Sequence, residues 1–436
     1  MHAIFYHPSV CFSNNLCYNL TGDHSVMNKN SFVWTIRYTL LNAAYFAAFC
    51  TVHAYAAVYL LANGLTNTQV GVLLATANIV SAIIQPVIAG VIDRPGRLTN
   101  RLFILISVFV ILAGSFILML TPGKKAIIFA VYAMIYMIQF AYQPVMTALC
   151  FEYQKAGCDI YYGLARGLGS ASFAVTSMFV GRAVEAGGVT VLLKVNVVTM
   201  LLSVLVIATF RKPEDHDKCV DISPAGSASK AACDGRGSFS SFVRTYPAFM
   251  LFLVATICFF FAHNMINDFM IQIIRNLGGG ETELGYANFL QAILELPVMA
   301  LIGLVLKKIS ADRLLIISGA AFLVKILILV FAKGMPMMYL SQSFQIFAYA
   351  VFIPAGAYYV SKTMDDLDQV KGQAFITSAI TIGGVFSNLI SGVILDHSNI
   401  LTMLITGSLV CAIGVVLSFI AMTRLPHHNS LTGSAI

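Results

Sequence analysis

Charge is what this sequence has least of. Only 10% of its 436 residues are Asp, Glu, Lys or Arg, against about 25% in soluble domains, which excludes an ordinary water-soluble globule. Cysteine is present without a pattern. The nine cysteines, an odd number, show no C-x-x-C spacing, and Cys50, Cys150, Cys258 and Cys411 lie in apolar runs, so neither a disulfide framework nor a metal centre is expected. No Ser/His/Asp constellation, H-E-x-x-H or phosphate-cradling loop stands out, which argues against an enzyme, and no cofactor is expected beyond a coupling proton. Residues 1–35 hold no continuous apolar stretch and are read as a polar tail rather than a signal peptide, with Met27 an alternative start.

Long apolar runs are what is there. Stretches able to cross a hydrocarbon core, which takes roughly 20 residues, occur near 36–62, 69–92, 101–121, 126–150, 162–184 and 189–210, and again near 246–273, 283–306, 312–332, 335–360, 372–395 and 400–423. The expected fold is an all-α membrane protein with twelve transmembrane helices. A polar Gly/Ser/Ala/Asp-rich linker, 211–243, separates two six-helix bundles, 36–210 and 244–423, and a second tail covers 424–436.

The positive net charge needs no nucleic acid. With both termini cytoplasmic, Arg94, Arg97, Arg101, Lys155, Lys212, Lys307, Lys308, Lys362 and Lys371 fall on the inner side, while Lys124, Lys125, Arg275 and Lys333 fall in outer loops. This positive-inside bias fixes the expected orientation in a cell (plasma) membrane of the bacterial inner-membrane kind. The sequon at Asn19 would face the cytoplasm. The expected partners are the lipid bilayer and a small-molecule solute, and the chain is read as a monomer.

Polar residues inside a bilayer must face protein or a water-filled cavity. Span one carries Asn42, Tyr45, Phe49 and His53 at steps of three, four and four. Span two carries Asn78, Ser81 and Gln85, span four Gln139, Tyr142 and Gln143, and span seven His263, Asn264, Asn267 and Asp268. Span eight adds Asn288, Gln291 and Glu295, and span ten Gln342, Gln345 and Tyr349. A polar cavity between the bundles accounts for these stripes, although amides also serve as glue between helices.

Charge inside the spans is the sharper signal. Lys325 stands at the centre of "AAFLVKILILVFA", where a lysine costs roughly 2.5–3.5 kcal/mol, so it is expected to point inward and pair with Glu295 or Asp268. Glu295 is the first candidate for a proton carrier, Asp268 the second, with His53 and His263 as further candidates. The halves also echo each other: Asn78, Ser81 and Gln85 recur 210 residues later as Asn288, Gln291 and Glu295, and Gly181 and Glu185 recur 211 residues later as Gly392 and Asp396.

The loop after span two, "QPVIAGVIDRPGRLTNR", resembles the signature loop of the major facilitator superfamily, with Asp93, Arg94, Gly96 and Arg97 in place. The resemblance implies an inner-gate latch between helices rather than a substrate contact. "YYGLARGLGSASFA" resembles the start of span five in the lactose permease, or oligosaccharide:proton symporter, family. That match puts Arg166 on the family's sugar-binding arginine and Phe173 on its stacking tryptophan. Further matches to the family through "LGYANFL" and "ELPVMALIGLVLKKISADRLLIISGAAFLVK" put Lys325 on a functional arginine, and "LSQSFQIFAYAVF" puts Gln345 near the coupling histidine and Ala348 near the family's proton-carrying glutamate, so that His/Glu device is absent.

The combined expectation is a secondary transporter of a small polar solute, a sugar or a nucleoside, working by alternating access with proton symport. Substrate-binding candidates are Arg166, Phe173, Asn42, Tyr45, Gln139, Gln143, Asn264, Asn267, Gln291, Gln342 and Gln345. The alternatives are a drug/proton antiporter and a receptor that keeps the fold without flux.

Overall fold

The computed structural model describes residues 29–92, 98–211 and 239–423. Asn19 and Met27, the latch residues Asp93, Arg94, Gly96 and Arg97, most of the linker and the C-terminal tail lie outside the described residues.

All regular structure among the described residues is helical, as lipid requires of a chain that must satisfy its own backbone. Helix α1 runs Lys29–Phe49, passes through a π-helical stretch Cys50–Ala54 and resumes as Ala56–Ala62, bent by 50° at the break. Then follow α2 (Asn67–Ile92), α3 (Asn100–Leu120), α4 (Lys125–Lys155), α5 (Tyr162–Gly187) and α6 (Thr190–Ala208). A short helix, Phe239–Thr245, leads into α7 (Pro247–Asp268, continued as Met270–Asn276). The rest are α8 (Glu281–Leu306), α9 (Ala311–Val330), α10 (Met335–Ser343, a 3-10 turn Phe344–Ile346, then Tyr349–Thr363), α11 (Asp366–His397) and α12 (Ile400–Thr423).

Ten of these helices are long and apolar enough to cross a membrane, and α1 makes an eleventh if its bent parts form one span. Helix α5 has the length, 26 residues, but its glycines and serines with Arg166, Arg182 and Glu185 keep it below that apolarity. Counting twelve equally apolar spans therefore overstates α5. Helix α1 also begins at Lys29 rather than near 36, because Trp34 packs its ring 5.4 Å from Tyr153 and 5.8 Å from Phe210.

The two halves use one packing scheme. The neighbours α1–α5, α1–α6, α2–α4, α3–α4 and α3–α6 are matched by α7–α11, α7–α12, α8–α10, α9–α10 and α9–α12. The halves meet mainly where α5 crosses α8 and α2 crosses α11. Both crossings need glycine: a Cβ on Gly71 would run into the Asn388 carbonyl, and one on Gly285 would lie 2.5 Å from the Ser177 carbonyl. Nearer the other end of the same helices, a Cβ on Gly90, Gly167 or Gly303 would meet nothing within 4 Å. The molecule is thus clasped at the end bearing the α1–α2, α5–α6, α7–α8 and α11–α12 turns.

The crossings also set the register of the repeat. Asn67 to Glu281, Gly71 to Gly285 and Ile92 to Leu306 are each 214 positions apart. The echo of Asn78, Ser81 and Gln85 in Asn288, Gln291 and Glu295 is therefore out by one turn: the counterpart of Glu295 is Ser81. Amides spaced three and four residues apart look alike under a one-turn shift, and close-packed glycines do not.

Candidate functional site

Two of the three charged residues expected inside the spans of the second half, Lys325 and Glu295, meet where α10 breaks. The 3-10 turn Phe344–Ile346 interrupts the helix, and the Ser318 hydroxyl donates to the Ala348 carbonyl at 2.7 Å, partnering a backbone group at the break. That turn carries Gln345, which is fully buried, as is Lys325 on α9. Lys325 Nζ donates to Gln345 Oε1 at 2.7 Å, and Gln345 Nε2 donates to Glu295 Oε1 at 2.7 Å. One orientation of the amide serves both ends, its oxygen to the ammonium and its nitrogen to the carboxylate. The lysine points inward as expected, but it reaches Glu295 through an amide, so the direct pair is replaced by a three-membered chain.

Arg166 brings the first half to the same place. Its guanidinium lies 4.3 Å from the Phe46 ring centroid and donates to Ser170 Oγ at 2.7 Å, and it acts electrostatically on Glu295 together with Lys325. Tyr349 lies within the fields of both Glu295 and Arg166 and stacks on His263, centroids 5.3 Å apart and planes 13° apart. His263 Nε2 and Asn267 Nδ2 are 2.9 Å apart. Asp268 sits outside this chain, beside Asn388 of α11 and Tyr136 of α4.

An aromatic group fills the corresponding part of the first half. His53, on the π-helical stretch of α1, stacks on Phe49 at 3.8 Å with planes 11° apart, lies 3.8 Å from Tyr136 and meets the edge of Phe140 at 4.5 Å. Neither of its buried ring nitrogens makes a well-formed hydrogen bond, although the Gln139 side chain lies beside the ring. Phe173 is 6.4 Å from Phe49 at the border of the group.

Several amides of the stripes are spent on packing. Asn42 Nδ2 donates to the Tyr38 carbonyl and Asn264 Nδ2 to the Phe260 carbonyl, each one turn back on its own helix. The Tyr45 hydroxyl donates to the Gln139 carbonyl at 3.0 Å. Gln139 Nε2 donates to Asn196 Oδ1, and Asn196 Nδ2 donates to Ser115 Oγ, a buried chain joining α4, α6 and α3. Apart from the Asn264 bond, which lies on α7, those contacts lie inside the first bundle, because a polar stripe marks a protein-facing side of a helix without distinguishing cavity from neighbour. Gln143 and Gln291 are half-buried; Gln291 Oε1 and both amide atoms of the fully buried Gln342 have no protein partner.

Sequence reading missed Phe46 and Ser170 as supports for Arg166, Ser318 at the break in α10, and Asn196 and Ser115 behind Gln139. None carries a signal beyond being a small polar or aromatic residue in a span. Hydrogen bonds therefore link α8, α9 and α10, and Arg166 of α5 acts electrostatically on Glu295 from the other half. A family model described as "MFS_1 like family" matches residues 35–406. The chain belongs to the MFS_1-like family. This MFS protein is similar in fold to a solved nucleoside transporter, a point mutant of NupG, at TM-score 0.74 and 13% identity, over 90% of this chain and 100% of that one. A POT family peptide transporter, described as auto inhibited, gives 0.69 at 9% identity over 92% and 99%. A bacterial homologue of the human lysosomal transporter Spinster, inward-facing and unoccupied, gives 0.66 at 12% over 91% and 97%. No curated protein sequence matches. The protein is a multi-pass membrane transporter of the MFS type, and not an enzyme.

Proposed function

We propose that this transporter moves a small, polar, neutral or zwitterionic solute, a sugar or a nucleoside, together with a proton. The carrying observation is the chain Lys325–Gln345–Glu295 with Arg166 beside it, at the junction of the two halves. A carboxylate held among two cations and an amide has two usable states, charged against its neighbours or neutral with a proton. Solute hydroxyls or amides binding beside it shift the balance between them. Glu295 is the proposed proton carrier and Gln345 the link that reports its charge to Lys325. Lys325 is a built-in cation, which supports a proton over sodium as the coupling ion.

Phe173, Phe49 and Arg166 supply ring faces and a guanidinium, which suits a sugar or a base. NupG, solved as a nucleoside transporter, shares the fold and adds the nucleoside to the candidates. In this reading α5 and the bent α1 complete twelve spans. Both termini are cytoplasmic, the clasped end faces outward and the protein works as a monomer in the plasma membrane.

The test is a pH electrode outside energy-starved cells expressing the protein, challenged with sugars, nucleosides and amphipathic cations. Alkalinisation on addition of one sugar or nucleoside supports symport and names the class. Expulsion of amphipathic cations with no proton uptake on any polar solute would overturn it in favour of drug/proton antiport.

A further inference from the structure

The clasped end is closed by more than glycine packing. The last turn of helix α11 carries Asp396, whose carboxylate accepts from the Asn67 and Thr68 backbone N–H groups at 3.0 and 2.8 Å and from Asn67 Nδ2 at 2.9 Å. An acid of the second half thus occupies the exposed N-terminus of α2 in the first, where the helix would otherwise leave N–H donors unmet. Gln272, on the continuation of α7, donates to Asn67 Oδ1 at 3.0 Å and ties a third helix to the same point.

The repeat places a second acid at the other crossing. Glu185, at the end of α5, accepts from the Thr282 hydroxyl on the first turn of α8. Arg182, one turn earlier on α5, donates to the Tyr286 hydroxyl and lies 5.2 Å from that ring. The two acids are 211 positions apart, as are Gly181 and Gly392 beside them. They are not equal. Asp396 takes two backbone bonds and Glu185 none, although both helices carry the same capping bond at their start, Gln69 Oε1 accepting from the Thr66 N–H and Glu283 Oε2 from the Gly280 N–H.

We propose that Asp396 and Glu185 form a duplicated, unequal acid clasp that sets the resting state of the transporter: the Asp396–α2 arm holds this end shut, and the Glu185–α8 arm adds a weaker hold. Opening the end strips Asp396 of all three donors at once, so the clasp opposes the opening half of the cycle. The proposal rests on the alternating-access reading but not on the solute or the proton. The clasp can therefore be tested without either.

The experiment is hydrogen–deuterium exchange of the full-length protein in lipid nanodiscs, comparing wild type with Asp396→Asn and Glu185→Gln. The asparagine keeps the shape but turns an N–H group toward the donors of α2. We expect Asp396→Asn to raise exchange at both crossings, residues 65–75 and 279–290, by about tenfold, the change given by losing one charge-assisted bond. Exchange at the opposite end, around 152–165 and 361–372, falls in compensation. Glu185→Gln should act in the same direction and less. A rise confined to 65–75 would mean local fraying of a capped helix and overturn the proposal, as would no change. If Asp396→Asn raises exchange along the whole chain it has unfolded, and Asn67→Ala, which removes one clasp bond and the Gln272 tie, decides by the same reciprocal pattern.

Discussion

Removing both charged ends of the Lys325–Gln345–Glu295 chain should harm the protein less than the separate losses imply. The amide accepts from a fully buried ammonium and donates to a carboxylate, both at 2.7 Å. A hydrogen bond to a charged group contributes ~1.5–3 kcal/mol, and stripping one partner from a buried charge pair costs about 3–5 kcal/mol because the other charge is left without compensation. Lys325→Met keeps the length and flexibility of the side chain but strands Gln345 Oε1. Glu295→Gln keeps the shape but removes the charge that balances Lys325. Each single variant should lower Tm, and the double variant should fall short of the summed shifts by the equivalent of ~0.5–3 kcal/mol, the range for residues in one network. The assay is thermal unfolding in detergent followed by circular dichroism, on all four members of the cycle. Strict additivity would refute the reasoning, since it would mean that the two charges do not sense each other through the amide.

Three further outcomes follow from other parts of the structure. Asn196→Leu cuts the Gln139–Asn196–Ser115 chain inside the first bundle and should destabilise by ~1–3 kcal/mol while leaving the KM for solute unchanged; a raised KM in transport assays would put Gln139 in the cavity after all. His53→Phe should leave Tm unchanged or raised and proton coupling intact, because the ring is held by Phe49, Tyr136 and Phe140 and its nitrogens make no well-formed hydrogen bond. Loss of coupling in a pH-electrode assay would instead make His53 a relay. Gly71→Val forces a side chain against the Asn388 carbonyl and should increase labelling of the clasped end by membrane-impermeant reagents, which an unchanged labelling pattern would contradict.

Much of the fold could be read from composition. Long apolar runs and scarce charge leave few alternatives to a helical membrane bundle, and the linker marks the midpoint. The exceptions have physical causes. Helix α5 is polar because it carries Arg166 toward the junction and crosses α8 with small residues. The repeat register is easily misread because amides recur at helical spacing throughout α2 and α8. At the site, Lys325, Glu295 and Gln345 stood out as charge and amides in apolar runs, but sequence alone could not say that the amide lies between the charges. That depends on the break in α10, where no proline or glycine announces the 3-10 turn. Asn42, Tyr45 and Gln139 were legible as inward-facing yet not as bundle glue, since both roles place a polar group on the protein side of a helix. Glu185 and Asp396 were visible as a repeated acid, and only the crossing geometry gave them their partners.

The most direct test of the proton-carrier assignment is transport in proteoliposomes, comparing accumulation driven by an imposed pH gradient with solute exchange at equal pH on both sides, for wild type and Glu295→Gln. Wild type should do both. The variant should lose gradient-driven accumulation and keep exchange, because the neutral amide mimics the protonated carboxyl and cannot release a proton. Accumulation by Glu295→Gln at the wild-type level would contradict the assignment of Glu295 as proton carrier.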